Sequence, residues 1–525
     1  MRRPSFGPGT EGLRLEQLLR ELGDGAVCAD CGDVRLIGVQ QDSRRIVPGE
    51  LFAARRGAAA DGAAFIDEAI DRGAAAVLIE RESLGDRVLS VPVVFVPSVR
   101  SIVGRAASAV YGHPSFSLEV IGLTGTNGKT TTAHLVRDLL DDLEGRASCG
   151  ILGTVGNALG PLSWPGTHTT PEGDETARIL AAMRDAGATH VSMEVSSIAL
   201  ALERVRGLRF HVAGLTNLTQ DHLDFHGTME AYGEAKASFF RDHAPGAAVI
   251  AVDGEFGRDL AASLTIPTLR VSSVEGARGL DADLAPESVV FERDRSVGAL
   301  RTPRGRRDFV VPFAGRHNLQ NALVALGCVL FSGKDLDAAL TALGRARGAP
   351  GRLERVSRLG DDLTVLVDYA HTPDAVARVL ESVRAGGAWQ VVCVLGCGGD
   401  RDRTKRAPMG LAAAQGADVV VVTSDNPRTE DPVAIAAEVE RGVVEGGKQC
   451  HASTRALDEG YVVVVDRRDA IVHAITHAPI GAVVVIAGKG HEDYQIVGTE
   501  RRPFDDRVVA RGALEERRRR GAGPR

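Results

Sequence analysis

The chain has 525 residues, 44% hydrophobic and 25% charged, which fits a soluble globular protein with room for roughly three domains. Its net charge of −7 argues against general nucleic-acid binding, and it has no apolar run of about 18 residues from which a transmembrane helix is built. Its 7 cysteines are too few for a disulfide scaffold and suit a reducing cytoplasm.

The N-terminal Met1-Arg2-Arg3-Pro4 carries charge with no apolar stretch behind it, so no secretory signal is expected. Cys28 and Cys31 form a lone Cys-x-x-Cys without the second pair that a zinc ribbon needs. Strands are expected at Ala75 to Ile79 and Val91 to Val96, among short helices. This first block ends near Gly112-His113-Pro114.

The second block opens with a strand from Leu118 to Leu123 that runs into Thr124-Gly125-Thr126-Asn127-Gly128-Lys129-Thr130-Thr131. A helix follows, with Leu135, Val136, Leu139 and Leu140 on one face. Strand, glycine loop and helix N-terminus make a phosphate cradle, because backbone N–H groups and the helix dipole both favour an anion. Lys129 is placed to reach the β- and γ-phosphates of ATP, and the Thr130 hydroxyl to bind Mg²⁺. The common pattern has a glycine five residues before Gly128, whereas position 123 is leucine.

Further strands are expected at Val191 to Val195, Val212 to Leu215 and Ala247 to Val252, alternating with helices as in a mainly parallel doubly wound sheet. Glu194 falls near a strand end, where an acid is either the second Mg²⁺ anchor or a capping or surface glutamate. Asp221-His222-Leu223-Asp224-Phe225-His226 is a dense cluster of metal- or proton-handling groups, and His222 is the preferred ligand in it. Lys236, in a helical pattern from Ala231 to Phe240, is either a surface lysine or a lysine that has reacted with CO₂ to give an anionic, metal-binding carbamate. The third block starts near Arg352, and its valine-rich runs at Leu363 to Val367, Gln390 to Leu395, Val419 to Val422 and Val483 to Ile486 read as buried parallel strands. The final Arg517-Arg518-Arg519-Arg520 run reads as a solvated tail.

Taken in order, the P-loop and the segments carrying Glu194, His222 and Lys236 resemble the Mur ligases, ATP-dependent amide-forming enzymes of bacterial peptidoglycan synthesis. Gly315 to Ala322, Pro350 to Glu354 and Asp368 to Pro373 extend the resemblance, which spans about residues 35 to 515. It implies three α/β domains: residues 1–114 as a small N-terminal UDP-sugar-binding domain, 115–348 as a central P-loop ATPase-like doubly wound domain, and 349–525 as a C-terminal Rossmann-like domain that binds an amino acid. The implied cofactors are ATP and two Mg²⁺ ions held by Thr130, Glu194, His222 and carbamylated Lys236. Gly125, Thr126, Asn127, Gly128, Lys129, Thr130, Thr131, Asn318, Arg352 and Asp368 are assigned to the nucleotide.

Asp425-Asn426-Pro427-Arg428 and Gly488-Lys489-Gly490-His491-Glu492-Asp493-Tyr494-Gln495 resemble the branch of the family that adds meso-diaminopimelate to UDP-N-acetylmuramoyl-L-alanyl-D-glutamate. A planar guanidinium can grip the distal carboxylate that diaminopimelate has and lysine lacks, and Arg428 supplies that fork. The resemblance gives Arg401, Asp425, Asn426, Gly488 and Glu492 to the same amino acid, and Ser43, Thr169, Thr170, Ser196 and Arg204 to the UDP-muramoyl peptide. Two departures stand out: Ile198 replaces a histidine found in many relatives, and Pro408 follows Arg406 at one residue's remove. A cytoplasmic monomer without nucleic-acid or membrane partners is expected. The competing readings are a lysine- or dipeptide-adding relative, a folylpolyglutamate synthase, a nucleotide-binding regulator without turnover and a nucleic-acid-dependent ATPase.

Overall fold

A computed structural model describes residues 12–521 apart from 24, 58–60, 165, 167, 278–279, 293–294, 359 and 451–457. Met1 to Pro4, on which the expectation about a signal rests, lie outside the described residues. Contacts divide the chain into two units. The first comprises Met1–Ala285, Arg301–Arg304 and Gln320–Leu343, and the second Pro286–Leu300, Gly305–Leu319 and Gly344–Arg525.

Among the described residues the first unit holds, besides a two-stranded antiparallel pair of Leu13–Arg14 with Arg35–Leu36, two larger sheets. The smaller has the order Val27–Cys28, Val93–Phe95, Ala76–Ile79, Glu50–Ala53, Gly38–Gln40, parallel except at Val27–Cys28. The larger has the order Leu162–Trp164, Gly156–Leu159, Cys149–Gly153, His190–Glu194, Glu119–Thr124, Val212–Leu215, Ala247–Ala251, Thr268–Val271. It is parallel from Cys149–Gly153 onward and carries an antiparallel hairpin at one edge. Its five central strands are short runs buried on both faces, the pattern of a sheet covered by helices on each side, while the edge strands are partly exposed. The chain leaves the Glu119–Thr124 strand first toward one side and then, from Val212, toward the other. That makes this strand the topological switch point, where open α/β sheets bind ligands.

Close packing fixes what flanks this strand. Phe210 and Phe239 stack edge to face at 4.8 Å, and a Cβ on Gly122 would lie 2.5 Å from the Phe239 ring and 2.8 Å from Phe210. Glycine lets the helix Met229–Arg241 press its aromatic face onto the strand, which sets the height of Lys236 above the loop.

The second unit is built on a sheet of order Glu354–Arg355, Thr364–Asp368, Val483–Ala487, Val391–Cys397, Val419–Ser424, Gly460–Val463, parallel except for the first strand. The expected strands are all present, and Cys393 and Cys397 are buried apolar-type residues in one of them. A three-stranded sheet of Ala285–Phe291, Ser296–Arg301 and Arg307–Val311 precedes it in sequence.

The arginine run is not a solvated tail. It closes the helix Asp506–Arg519, and four successive residues of a helix point in four directions. Arg517 falls on the face of Ala510, Ala513 and Leu514 and is 3% exposed. Its guanidinium donates to the carbonyls of Ile475 (2.7 Å), Thr476 (3.2 Å) and Ala478 (2.8 Å), and pairs with Asp362 at 2.7 Å. Those carbonyls end the helix Arg467–His477 and would otherwise lack donors. Arg518 pairs with Asp361 at 2.7 Å, while Arg519 and Arg520 are exposed. Arg517→Ala is expected to lower stability by about 2–3 kcal/mol in urea unfolding, because it strands a carboxylate and three carbonyls. Arg520→Ala is expected to leave the curve unchanged.

Candidate active site

The phosphate cradle is built by a strand end, a tight loop and a helix start. Leu123 is fully buried in the strand, so the loop proper begins at Gly125, and the missing glycine at position 123 removes nothing from it. Gly125 has φ 146°, and a Cβ there would lie 1.9 Å from Thr216 Oγ1. The loop is pinned along its length to the segment after the neighbouring strand. Thr126 N donates to the Asn217 carbonyl (3.0 Å) and Asn127 N to Asn217 Oδ1 (3.0 Å). Thr216 Oγ1 donates to the Asn127 carbonyl at 2.6 Å, and Thr126 Oγ1 to the Thr219 carbonyl at 3.0 Å. Lys129 and Thr130 open the helix Lys129–Glu144, behind Gly128 in the left-handed region. Thr131 is in its first turn.

Two ammonium groups converge on the loop. Lys129 Nζ donates to the carbonyls of Gly125 (2.8 Å) and Thr126 (3.0 Å), and Lys236 Nζ to the same Gly125 carbonyl (3.0 Å). Lys236 is 1% exposed and lies 4.4 Å from the centroid of the Tyr232 ring, so it is not a surface lysine. Burial first, and the Lys129 charge second, press its amine well below the ordinary lysine value, against the pull of Asp221.

Glu194 ends the strand His190–Glu194 and is 1% exposed. It accepts from Thr130 Oγ1 at 2.9 Å and from Thr154 N at 2.8 Å, which removes its reading as a surface or capping acid. A hydroxyl and a carboxylate in contact at the carboxyl end of the switch-point strands form a hard oxygen donor pair, which fits Mg²⁺. His222 is half-exposed in the left-handed region before a short helix, its Nε2 3.6 Å from Asp221. His226 is held by the Ser197 hydroxyl at 3.0 Å.

Four of the five residues assigned to the muramoyl peptide cluster around the same strand end. Thr170 Oγ1 donates to the Glu194 carbonyl (2.9 Å) and accepts from Ser196 N (3.0 Å). Thr169 and Thr154 share a hydroxyl contact at 3.1 Å. Ser196 caps the helix Ser197–Ala201. Arg204 donates to the Thr170 carbonyl and pairs with Glu172 at 2.9 Å, and its buried Nε has no hydrogen-bond partner among the described residues. Ser43, in the smaller sheet's region, is buried and donates to Glu68 at 2.7 Å.

In the second unit, a cavity of about 430 Å³ opens at the carboxyl ends of the strands Val391–Cys397, Val419–Ser424 and Val483–Ala487. Arg401, Asp425, Asn426, Arg428, Gly488 and Glu492 all line it, so this fold brings together the full set assigned to the amino acid. Arg428 has φ 50°, held by hydrogen bonds of its N–H to the Ile496 carbonyl (3.0 Å) and of Gly498 N to its own carbonyl (2.7 Å). One guanidinium nitrogen donates to the Gly399 carbonyl at 2.6 Å. The loop carrying Arg401 is held from behind by Arg406, which is 1% exposed, donates to the Gly398 carbonyl and pairs with Glu430 and Glu438. That guanidinium holds the Glu430 carboxyl down to about 2.

Asp368 is buried, accepts from Leu353 N (2.7 Å) and Ala370 N (2.8 Å), and is pushed above its ordinary value by burial. Arg352 lies over the Tyr369 ring at 4.8 Å. Asn318 sits in the first turn of the helix Arg316–Phe331 and donates to the Ala314 carbonyl at 2.8 Å.

The Mur ligase family, catalytic domain, matches residues 35–111, the Mur ligase middle domain residues 123–329, and the Mur ligase, glutamate ligase domain, residues 351–490. A UDP-N-acetylmuramoyl-L-alanyl-D-glutamate--2,6-diaminopimelate ligase of Gloeobacter violaceus is 45% identical over 510 residues, 97% of this chain and 99% of the relative. The chain belongs to the Mur ligase family. The enzyme of the same designation from Geobacillus thermodenitrificans is 41% identical, covering 96% of this chain and all of the relative. A solved structure of a UDP-N-acetylmuramoyl-L-alanyl-D-glutamate--2,6-diaminopimelate ligase superposes with TM-score 0.69 at 32% identity, over 95% of this chain and 99% of that one.

Within the Mur ligase frame, the displaced proline is harmless. Arg406 starts the helix Arg406–Gly416, so Pro408 stays in the first turn, where backbone N–H groups have no helical partner to lose. Sequence reasoning passed over Lys489 as a site residue; its place in the motif between the assigned Gly488 and Glu492 was the available signal. It also passed over Lys405, His371 and Tyr494, which line the cavity. Gly125→Ala is expected to weaken binding of a fluorescent ATP analogue at least about tenfold, because the new Cβ must displace Thr216 and unpin the loop.

Proposed function

We propose that this Mur ligase joins the amine of meso-2,6-diaminopimelate to the D-glutamate γ-carboxylate of UDP-N-acetylmuramoyl-L-alanyl-D-glutamate, with ATP giving ADP and phosphate, in peptidoglycan precursor synthesis. The observation that carries this reading is the single cavity where Arg401, Arg428, Asn426 and Glu492 meet. Such a pocket offers guanidinium groups for a carboxylate and an acid for an ammonium, and the distal end of diaminopimelate carries both.

A carboxylate is a poor acyl donor. Its oxygen attacks the γ-phosphorus of ATP, ADP leaves, and an acyl phosphate results. The amine then attacks the acyl carbon, phosphate leaves from the tetrahedral intermediate, and the amine's proton passes to solvent. Lys129 brings positive charge to the phosphates, and the N–H groups of Gly128 to Thr131 at the helix start cradle them, those of Thr126 and Asn127 being engaged by Asn217. Mg²⁺, when bound, offsets the repulsion between carboxylate and triphosphate. Thr130, Glu194, His222 and carbamylated Lys236 are the proposed holders of two such ions. Asn318, Arg352 and Asp368 are assigned to the nucleotide, and Ser43, Thr169, Thr170, Ser196 and Arg204 to the UDP-muramoyl peptide.

Carbamylation needs a neutral amine, and burial beside a second ammonium supplies one. The amine attacks CO₂ and releases a proton, leaving an anion where Lys236 was cationic. As pH falls through the lowered amine value, the neutral form and hence the carbamate are lost. The three-domain partition at 114 and 348, a monomeric state and a cytoplasmic location complete the proposal. No helix among the described residues is long and apolar enough to cross a membrane.

Phosphate release with ATP, Mg²⁺ and the UDP-dipeptide is expected to require meso-diaminopimelate, to yield a UDP-tripeptide by mass, and to be much slower with L-lysine. Equal use of lysine would overturn the reading of the pocket. Arg428→Ala is expected to lower kcat/KM for diaminopimelate about 100-fold and leave the KM for ATP within about twofold. Lys236→Ala is expected to be inactive and to regain part of its activity with added short carboxylic acids. Full activity without them would remove the carbamate from the mechanism.

A further inference from the structure

Lys489 has no place in the mechanism above, yet it is the most enclosed charged group at the amino-acid cavity, with 0% of its surface exposed. It follows Gly488 at the end of the strand Val483–Ala487 and points behind the cavity wall rather than into it. Its ammonium donates to Asp425 Oδ1 (3.1 Å), Asn426 Oδ1 (3.0 Å) and Glu492 Oε2 (3.2 Å), which uses all three of its protons. All three acceptors line the cavity.

The neighbouring bonds turn these contacts into a frame. Asn426 Oδ1 also accepts from Ile496 N at 2.9 Å, so two donors fix the orientation of the amide. Its Nδ2 is thereby turned onto Glu492 Oε2 at 3.0 Å. Glu492 Oε2 is thus doubly occupied, and Oε1 accepts no hydrogen bond among the described residues. One carboxylate edge is left for a ligand ammonium.

We infer that Lys489 is a positioning and specificity-determining residue, which sets Asn426 and Glu492 in place and cancels one of the two negative charges at their end of the cavity. This rests on the reading of the cavity as the diaminopimelate pocket. Arg467, which also acts on Asp425 and Glu492, is spent on Asp506 at 2.7 Å, so without Lys489 the two acids would form a doubly anionic end that favours a bare ammonium, the distal group of L-lysine. With Lys489 in place, one net negative charge faces one ammonium, and the ligand's remaining affinity must come from a carboxylate on Arg428. Lys489 selects against lysine from behind the wall by charge balance, while Arg428 selects for the carboxylate by contact.

The test uses the full chain in the phosphate-release assay with wild type, Lys489→Met and Lys489→Gln. Thermal unfolding and the KM for ATP report the fold. Wild-type release that does not require diaminopimelate would overturn the pocket reading itself, separately from this inference. Given that release, Lys489→Met is expected to raise the KM for diaminopimelate at least about tenfold. The KM for ATP should stay within about twofold, and the preference for diaminopimelate over L-lysine should fall at least about tenfold. Lys489→Gln keeps donors without charge, and is expected to recover part of the KM but not the preference. An unchanged diaminopimelate KM and preference in either folded variant would overturn the inference. So would parallel losses for ATP and diaminopimelate, or failure of both variants to fold, since Lys489 would then serve the fold and not the pocket.

Discussion

Parallel strands end on one edge of a sheet, and that constraint builds both candidate sites. In the first unit, the strands Glu119–Thr124, His190–Glu194 and Val212–Leu215 are adjacent, so the P-loop, Glu194 and Asn217 emerge side by side from segments far apart in sequence. The loop owes its shape to this adjacency: Thr126 N and Asn127 N donate to Asn217, and the Thr126 hydroxyl donates to the Thr219 carbonyl and accepts from Thr219 N, so the loop is not shaped by its own residues alone. In the second unit, the insertion of Val483–Ala487 between Thr364–Asp368 and Val391–Cys397 places the Gly488 to Glu492 motif against Asp425 and Asn426.

Buried charge is the second recurring device, and the buried arginines are each matched by carboxylates. Arg406 is met by Glu430 and Glu438, Arg467 by Asp506 at 2.7 Å, and Arg517 by Asp362 and helix-end carbonyls. Arg467 also donates to the carbonyls of Ser424 (3.2 Å) and Ala487 (3.0 Å), tying together the two strand ends that lead into the amino-acid pocket. An ion pair buried this deeply adds little net stability over an apolar replacement, but it is costly to break from one side. Its benefit here is directional: the guanidinium fork fixes which loops lie next to which. Lys236 is the exception. Its hydrogen-bond and ring partners are a carbonyl and an aromatic ring rather than an anion, and burial, with the Lys129 charge beside it, lowers its basicity.

Much of this was legible in sequence because the signals are local. A buried parallel strand must be a short apolar run, so Val212–Leu215 and Val483–Ala487 could be read almost to the residue. A phosphate loop needs glycine at fixed offsets from a lysine. The arginine run misled because a count of like charges ignores the helical period, which turns Arg517 inward while Arg520 stays in water. Lys489 was hidden for a related reason: a lysine in a motif looks solvated until the strand beside it is known to bring two carboxylates within reach.

By itself, the sequence determined the alternation of strands and helices, the phosphate loop and the residue types of both sites, since each depends on the periodicity or chemistry of a few neighbours. It also carried the family resemblance, through motifs in a set order. Only the tertiary structure decided that Lys236 is buried, that Glu194 meets Thr130, and that Lys489 stands behind Asn426 and Glu492. Those facts depend on strand order and on packing between residues far apart in the chain, 64 positions for Thr130 and Glu194 and 63 for Asn426 and Lys489, and no local pattern encodes such distances.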